Sequence, residues 1–186
     1  ENACKQAAKW RRERNEEFVI NVNLSQVQLQ WPGLVNFIRN TLDMTGLPPH
    51  CLNLEITETL AVTEFERTLK VLNGIKALGC KLSVDDFGTG YSSLAYLQKL
   101  PIDCVKIDRS FVKMIGEDPA PQAIILAIIT LCKEMNLRIA GEGVEKIEQL
   151  EWLRQVGCNL AQGYLFAKPL DSGEFEEKFL SGVIPM

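Results

Sequence analysis

Two adjacent carboxylates in the stretch KLSVDDFGTGYSSL, residues 81–94, point to metal chemistry. Asp85 and Asp86 follow an alternating apolar run and precede a loop that contains Gly88 and Gly90. Like charges side by side repel each other, and a turn does not require two of them. Because the predicted strand ends and turns here, both side chains can reach the same rim. Each carboxylate could then bind one of two hard cations, and oxygen ligands favour magnesium or manganese over zinc.

Further polar residues lie at or just after the C-terminal ends of other predicted strands, namely Asn23, Glu55, Asp108 and Glu142. Lys106 lies two residues before Asp108 and therefore on the same face of its strand. One acid in such a position could cap the following helix, but N-caps prefer Ser, Thr, Asp or Asn, so the two glutamates need another role. In parallel α/β sheets and barrels this end of the strands forms the active site. The pattern predicts a ring of carboxylates neutralised by cations.

The composition argues against several other kinds of site. His50 is the single histidine, which excludes Ser–His–Asp chemistry and multi-histidine zinc sites. The six cysteines are scattered without a CxxC pair, as is typical of free, buried thiols in a reducing cytosol. The net charge is −4 and the one basic run, residues 9–14, is interleaved with glutamate, so duplex nucleic acid is disfavoured as a partner. No apolar run is long enough to be a transmembrane segment.

Short β-rich runs alternate with amphipathic helical segments, which predicts βαβ units and a parallel sheet. The predicted strands are residues 18–24, 52–57, 81–87, 104–108, 137–141 and 161–166. The clearest predicted helices are residues 64–79, 120–136 and 146–157. We interpret residues 1–186 as one domain, with the end of a helix at 1–17, βα units at 18–170, and a C-terminal helix and tail at 171–186.

Several motifs together resemble the EAL-domain family of bacterial cyclic di-GMP phosphodiesterases. They are VNLS at 22–25, followed in order by LEITE, DDFGTGYSSL, CVKIDRSFV, GEGVE and QGYLFAKPL. The resemblance runs from about Ala3 to Pro169. It implies a TIM-like (β/α)8 barrel that hydrolyses cyclic di-GMP to linear pGpG with Mg²⁺ or Mn²⁺ and is inhibited by Ca²⁺. It also implies a cytoplasmic bacterial protein that forms dimers, as many members do, and whose parent could be tethered to a membrane.

The resemblance assigns roles to individual positions. The residues that match metal ligands are Asn23, Glu55, Asp85, Asp86 and Glu142. Among them Asp85 matches the ligand that bridges the two metals. Lys106 matches the lysine that orients or activates the attacking water. Glu142 also matches a proposed general base, and the sequence leaves its role as base or ligand open.

Other matching positions surround these ligands. Asp108 and Glu145 match acids that support the ligands or position water, and Gln162 matches a residue near the guanine or phosphate. Glu58, the second acid of LEITE, matches the glutamate that holds the following loop in place. The residues of that loop expected near the substrate are Gly88, Thr89, Gly90, Tyr91 and Ser92.

The chain departs from the family pattern at its start. It has no Glu-Ala-Leu motif, and six predicted strands in 186 residues are fewer than the eight strands of a barrel of roughly 250 residues. We therefore expect a domain truncated at its N-terminus, without two strands, a helix and a substrate-contacting arginine. Unpaired sheet edges predict a homodimer or an exchange of elements between chains. The apolar segment 124–131 and the region of Trp10 are the candidate contacts, with core packing favoured for both over an intermolecular contact.

Two other functions are compatible with parts of the pattern. A catalytically inactive EAL module would bind cyclic di-GMP or a protein partner as a receptor or scaffold. An enolase-like barrel also carries acids and lysine at its strand ends, but DDFGTG and QGYLF have no role in it. A metal-free α/β domain is also disfavoured because the acids are so strongly clustered.

Overall fold

The computed structural model describes residues 1–14, 18–62, 64–90 and 94–180. Within these residues, six parallel strands form one curved sheet in the same order as in the sequence. They are β1 (Ile20–Asn23), β2 (Leu52–Thr57), β3 (Lys81–Phe87), β4 (Cys104–Ile107), β5 (Arg138–Gly141) and β6 (Leu160–Ala161). The predicted α/β class and the parallel half-barrel of six strands are confirmed.

Helices connect the strands and cover the outer side of the sheet. They are α1 (Asn2–Arg14), α2 (Gln26–Gln30), α3 (Leu34–Thr45), α4 (Glu58–Val62), α5 (Phe65–Ala77), α6 (Leu94–Leu97), α7 (Arg109–Lys113), α8 (Pro119–Glu134), α9 (Ile147–Val156) and α10 (Ser172–Phe175). A 3₁₀ turn at Pro49–Cys51 precedes β2, and a π-helical turn at Glu176–Leu180 follows α10. In the described part of the chain, no helix is both long and apolar enough to cross a bilayer.

The sheet separates an apolar outer face from a polar inner face. In β2, Leu54 and Ile56 join the hydrophobic core with helical residues such as Leu72 and Ile75. The intervening residues of the same strand are polar, because successive side chains of a strand point to opposite faces. β4 repeats the pattern: Val105 and Ile107 lie in the core, whereas the intervening Lys106 lines the inner face. Burial of the apolar face fixes which residues of each strand face inward.

The predicted strand at 161–166 is wrong in most of its length. β6 ends at Ala161, and the chain then turns, with the amide of Phe166 donating to the carbonyl of Gly163 at 3.1 Å. Gly163 allows the backbone to pass very close to Val144, since a β-carbon there would lie 2.1 Å from the Val144 carbonyl oxygen. This contact between distant segments bends the QGYLF motif away from the sheet. The other five strands lie within or match their predicted ranges.

Candidate active site

A β-bulge brings Asp85 and Asp86 to the same rim. Val84 pairs with Val105 and Phe87 pairs with Ile107, so three residue steps along β3 lie opposite two residue steps along β4. Asp86 occupies the extra position with a left-handed backbone, φ 55°. A bulge interrupts the alternation of side chains, so neighbours on the strand can project to one side. β3 ends at Phe87, as predicted, so the bulge and not the end of the strand brings both acids to the rim.

Three of the acidic side chains at this rim form a compact oxygen cluster. Carboxylate oxygens of Asp85, Asp86 and Glu142 all lie within 4.8 Å of one another. Burial is the main reason that the pKa of Asp86 is raised, and the charges of Asp85 and Asp108 raise it further. Burial also raises the pKa of Glu142 to about 7; the nearby ammonium of Lys106 opposes this shift, and the charge of Asp85 adds to it.

Lys106 lies at the centre of the site. Its Nζ is 2.6 Å from Oε1 of Glu142, 3.0 Å from Oε2 of Glu55 and 3.1 Å from Oδ1 of Asp85. The residue is only 4% exposed. Burial lowers the pKa of Lys106, but the hydrogen bonds and charges of Glu142 and Glu55 outweigh burial and raise it. The side chain is therefore a fixed, permanently charged ammonium at physiological pH.

Glu55 carries an oxygen that is free to bind a cation. The residue is 4% exposed, and its Oε1 finds no hydrogen-bond donor among the described residues. Burial raises the pKa of Glu55, although Lys106 opposes the effect. The register pairs Asn23 of β1 with Glu55, and the amide of Leu24 donates to the Glu55 carbonyl at 2.8 Å. Asn23 thus lies beside the cluster at the end of β1, with its side chain exposed.

Glu58 holds the loop that follows the two aspartates. The buried carboxylate accepts from the amide of Gly88 at 2.8 Å and from the amide of Gly90 at 3.2 Å, both through Oε2. The hydroxyl of Thr89 donates to the Asp86 carbonyl at 2.8 Å and closes the turn. This arrangement matches the role predicted for Glu58. The predicted substrate contacts Tyr91 and Ser92 lie outside the described residues.

Asp108 serves as an N-cap as well as a wall of the site. Its carboxylate accepts from the amide of Ser110 at 2.9 Å at the start of α7. Burial raises the pKa of Asp108, but hydrogen bonds from Ser110 and from the Arg109 amide outweigh burial and lower the pKa. Asp108 therefore stays ionised beside Asp86. Capping, which sequence reasoning admitted for any single acid here, is one of its roles.

A cleft of about 280 Å³ opens beside the acid cluster. The predicted site residues that line it are Asp86, Asp108, Glu142, Glu145 and Gln162. Glu145 lies on the rim, where its Oε1 is 3.6 Å from Nζ of Lys113. Glu55, Lys106 and Gln162 line a separate cavity of about 340 Å³ along the inner face of the sheet.

Apart from the glycines at 143 and 163, sequence reasoning missed three residues of the cleft wall. Arg109, Lys113 and Tyr164 line it together with the acids. The signal for the two basic residues was present in the motif KIDRSFVK, because positions i and i+4 share one face of a helix. Asp108 lines the cleft and α7 begins at the next residue. The helix face that carries Arg109 and Lys113 therefore lies at the same opening.

The donor set fits a hard divalent cation. It consists of carboxylate oxygens and one amide oxygen, which are ligands that Mg²⁺ and Mn²⁺ accept. Several partly buried carboxylates lie together here with a single lysine. This explains both the unpaired Oε1 of Glu55 and the raised pKa values of Asp86 and Glu142. A cation would satisfy the free oxygen and relieve the repulsion.

Carboxylates and a lysine at the C-terminal mouth of a parallel α/β half-barrel define a barrel-type site suited to metal-assisted chemistry. The chain belongs to the EAL-domain family: the profile described as "EAL domain" matches residues 1–169. This membership rules out the enolase-like alternative. Over 170 residues the chain is 42% identical to MucR of Pseudomonas aeruginosa, named a bifunctional diguanylate cyclase/cyclic di-GMP phosphodiesterase. That match covers 91% of this chain and 25% of MucR.

Solved structures of the family share the fold. The MucR phosphodiesterase in complex with cyclic di-GMP superposes with a TM-score of 0.90 at 41% identity, covering 94% of this chain and 70% of the other. BlrP1 of Klebsiella pneumoniae, solved with cyclic di-GMP and either calcium or manganese, superposes at 0.82 with 33% identity, covering 90% of this chain and 42% of the other. The chain thus spans about a quarter of the length of MucR and a larger part of the solved domains.

Proposed function

We propose that this domain hydrolyses cyclic di-GMP to linear pGpG with two bound divalent cations, Mg²⁺ or Mn²⁺. The observation that carries the proposal is the oxygen cluster of Asp85, Asp86 and Glu142 beside the buried ammonium of Lys106. The name of MucR and its complex with cyclic di-GMP support the substrate. The manganese complexes of BlrP1 support the kind of cofactor.

The cations would be held by Asn23, Glu55, Asp85, Asp86 and Glu142. When bound, divalent cations lower the pKa of a coordinated water and neutralise charge on the phosphodiester. The acid cluster thereby becomes able to accept an anionic dinucleotide that a chain of net charge −4 would otherwise repel. Ca²⁺ competes for the same oxygens and, being larger and less strict in geometry, is expected to inhibit.

The remaining residues position the attack and manage the proton. Lys106 is fixed by three carboxylates, so it can orient the attacking water and balance charge that develops at phosphorus. Glu142, with a pKa of about 7, is suited to accept a proton near neutral pH or to bind a metal once ionised. Asp108 and Glu145 would position water at the cleft wall. Gln162 would contact the guanine or phosphate.

A hydrolysis assay tests the proposal. Cyclic di-GMP is incubated with the protein and Mg²⁺ or Mn²⁺, and pGpG is resolved by chromatography, with Asp85→Asn as the inactive control. Because the match covers 70% of the MucR phosphodiesterase, the assay is repeated with any longer form of the protein that the gene encodes. We expect pGpG from the longer form and slower or no turnover from this chain. Binding of cyclic di-GMP without pGpG from either form would contradict hydrolysis and favour the receptor alternative.

We also propose that copies of the chain associate through α8. Ile124 and Leu126 are 42% and 44% exposed on this helix. They lie one on each side of the buried stripe that contains Ile125 and Ile128, and a second copy that packs over either side would cover apolar surface. Sedimentation of the wild type and of Ile124→Glu tests this, and a monomeric wild type would contradict it. The six cysteines, all among the described residues, form no disulfide, and five of them are buried. This agrees with the reducing bacterial cytoplasm that we propose as the location of the protein.

A further inference from the structure

Hydrogen-bonded polar side chains lie on the inner face of the sheet next to the acid site. We call Asn21, Asn53 and Ser83 the polar row. Each member lies two residues before a proposed metal ligand and so on the same face of its strand. Those ligands are Asn23, Glu55 and Asp85.

The members of the polar row bond to each other across three strands. Nδ2 of Asn53 donates to Oδ1 of Asn21 at 3.1 Å and to Oγ of Ser83 at 2.8 Å. The Ser83 hydroxyl lies 3.0 Å from Oδ1 of Asn53 and donates to it. Asn53 is 8% exposed and Ser83 is 1% exposed. The row therefore links β1, β2 and β3 through side chains, in addition to the backbone bonds of the sheet.

The row adjoins the ligands in register as well as in sequence. Ser83 is the register partner of Glu55, whose Oε1 has no donor among the described residues. Asn21 is the register partner of Asn53, just as Asn23 is that of Glu55. A change in the spacing of the strands at the polar row would therefore also change the spacing of the neighbouring ligand oxygens that surround Lys106.

Stability alone does not account for the row. Barrel interiors are normally filled by layers of branched aliphatic side chains. A buried amide and hydroxyl that pair with each other contribute little net stability, and an apolar pair of similar shape is often neutral or stabilising. Polar residues at these positions are therefore expected to serve geometry, because hydrogen bonds fix distances more narrowly than apolar contacts do.

We propose that the polar row is a positioning layer for the metal site: Asn21, Asn53 and Ser83 hold β1, β2 and β3 at the spacing at which Asn23, Glu55 and Asp85 bind cations together. This inference rests on the proposed function. In this proposal the three residues act through the ligands two residues further along each strand. Removal of residues that orient metal ligands typically weakens metal binding by about tenfold or more.

The test separates metal affinity from folding stability. The double variant Asn53→Leu/Ser83→Ala replaces the bonded pair with an apolar pair of similar size. Titration calorimetry with Mn²⁺ alone measures affinity, and urea unfolding without metal measures stability. We expect about tenfold weaker Mn²⁺ binding, with a free energy of unfolding equal to or above that of the wild type. Ser83→Thr keeps the hydroxyl and should bind Mn²⁺ as the wild type does.

Two further variants keep the result interpretable. Ile75→Val removes a methyl group from the fully buried core of α5, so it should lower stability and leave Mn²⁺ affinity unchanged. Ser83→Ala alone should weaken Mn²⁺ binding even if the double variant fails to fold. Unchanged Mn²⁺ affinity in a folded polar-row variant overturns the inference and leaves the proposed function standing. Absence of Mn²⁺ binding by the wild type would instead overturn the proposed function, and the inference with it.

Discussion

At the scale of single residues, Lys106 supplies the positive charge that the metal-free acid cluster needs. Its ammonium faces three carboxylates, and both Lys106 and Glu55 are almost fully buried. Removing one partner of a buried ion pair leaves the other charge uncompensated, which costs about 3–5 kcal/mol. Lys106→Met should therefore lower the free energy of unfolding by an amount of this order in the absence of metal.

Divalent cations should restore part of the stability that Lys106→Met loses, because they replace the missing positive charge. Urea unfolding with and without Mn²⁺ measures both effects, with the exposed Lys99→Met as the control. Hydrolysis should remain lost even when stability returns, since a metal ion at another position does not replace the ammonium that we propose orients the attacking water. A stability of Lys106→Met equal to that of the control would contradict this account of the charge balance.

The titration of Glu142 predicts how stability depends on pH. Its pKa is 4.5 in a solvated chain and about 7 in the folded protein. Between these values the folded state holds a proton that the unfolded state has released. The free energy of unfolding without metal should therefore fall as pH rises from about 4.5 to about 7. Mn²⁺ affinity should rise over the same range, because the ligand must be ionised to bind.

Glu142→Gln provides the comparison for this pH dependence. The amide does not titrate, so urea unfolding of the variant should show a smaller decrease in stability across the same window. Identical pH profiles for the two proteins would mean that Glu142 is not the group that takes up the proton. The profile also bears on its chemical role, since a base must change protonation near the working pH.

At the scale of elements, Glu58 joins the start of α4 to the loop after β3. One of its oxygens accepts two loop amides, those of Gly88 and Gly90. Glu58→Ala should leave both amides without this acceptor and loosen the loop beside Asp86. Hydrogen exchange of residues 86–90 should become faster and the hydrolysis rate should fall, while Glu64→Ala on the exposed start of α5 should change neither. Unchanged exchange in Glu58→Ala would refute the anchoring role.

Much of this arrangement could be predicted from residue spacing. Alternation and flanking turns predicted β2 and β3 to the residue, and the convergence of parallel strands predicted that Glu55, Asp85, Lys106 and Glu142 would meet. The bulge could not be predicted, because it is a mismatch between β3 and a strand that follows it in the sequence. The early end of β6 depends likewise on a contact between Gly163 and Val144, which no local pattern encodes.

At the scale of the whole molecule, one carboxylate joins the two ends of the described chain. Oε1 of Glu176 accepts from Nε2 of Gln6 at 2.8 Å, Nζ of Lys9 at 2.9 Å and Nε1 of Trp10 at 2.7 Å. The Trp10 ring also lies 5.0 Å from the ring of Phe175. These contacts bring α1, which leads into β1, against the segment that follows β6. We therefore expect them to hold the two edges of the sheet, and with them Asn23 and Gln162, in a fixed relation.

Loss of this shared acceptor should therefore loosen the first helix without dismantling the acid site. In Glu176→Ala, three donors lose their common partner at once, so hydrogen exchange of residues 2–14 should accelerate while that of β2 and β3 stays slow. The hydrogen bond from Lys9 is the main reason that the pKa of Glu176 lies below 4.5, so acid that protonates Glu176 should weaken the same contact in the wild type. Mass spectrometry of the exchanged peptides measures both effects, with the exposed Glu151→Ala as the matched control. If α1 exchanged no faster in Glu176→Ala than in the control, the aromatic packing of Trp10 would be sufficient to hold the ends together. The Glu176 carboxylate would then not be the group that fixes the sheet edges.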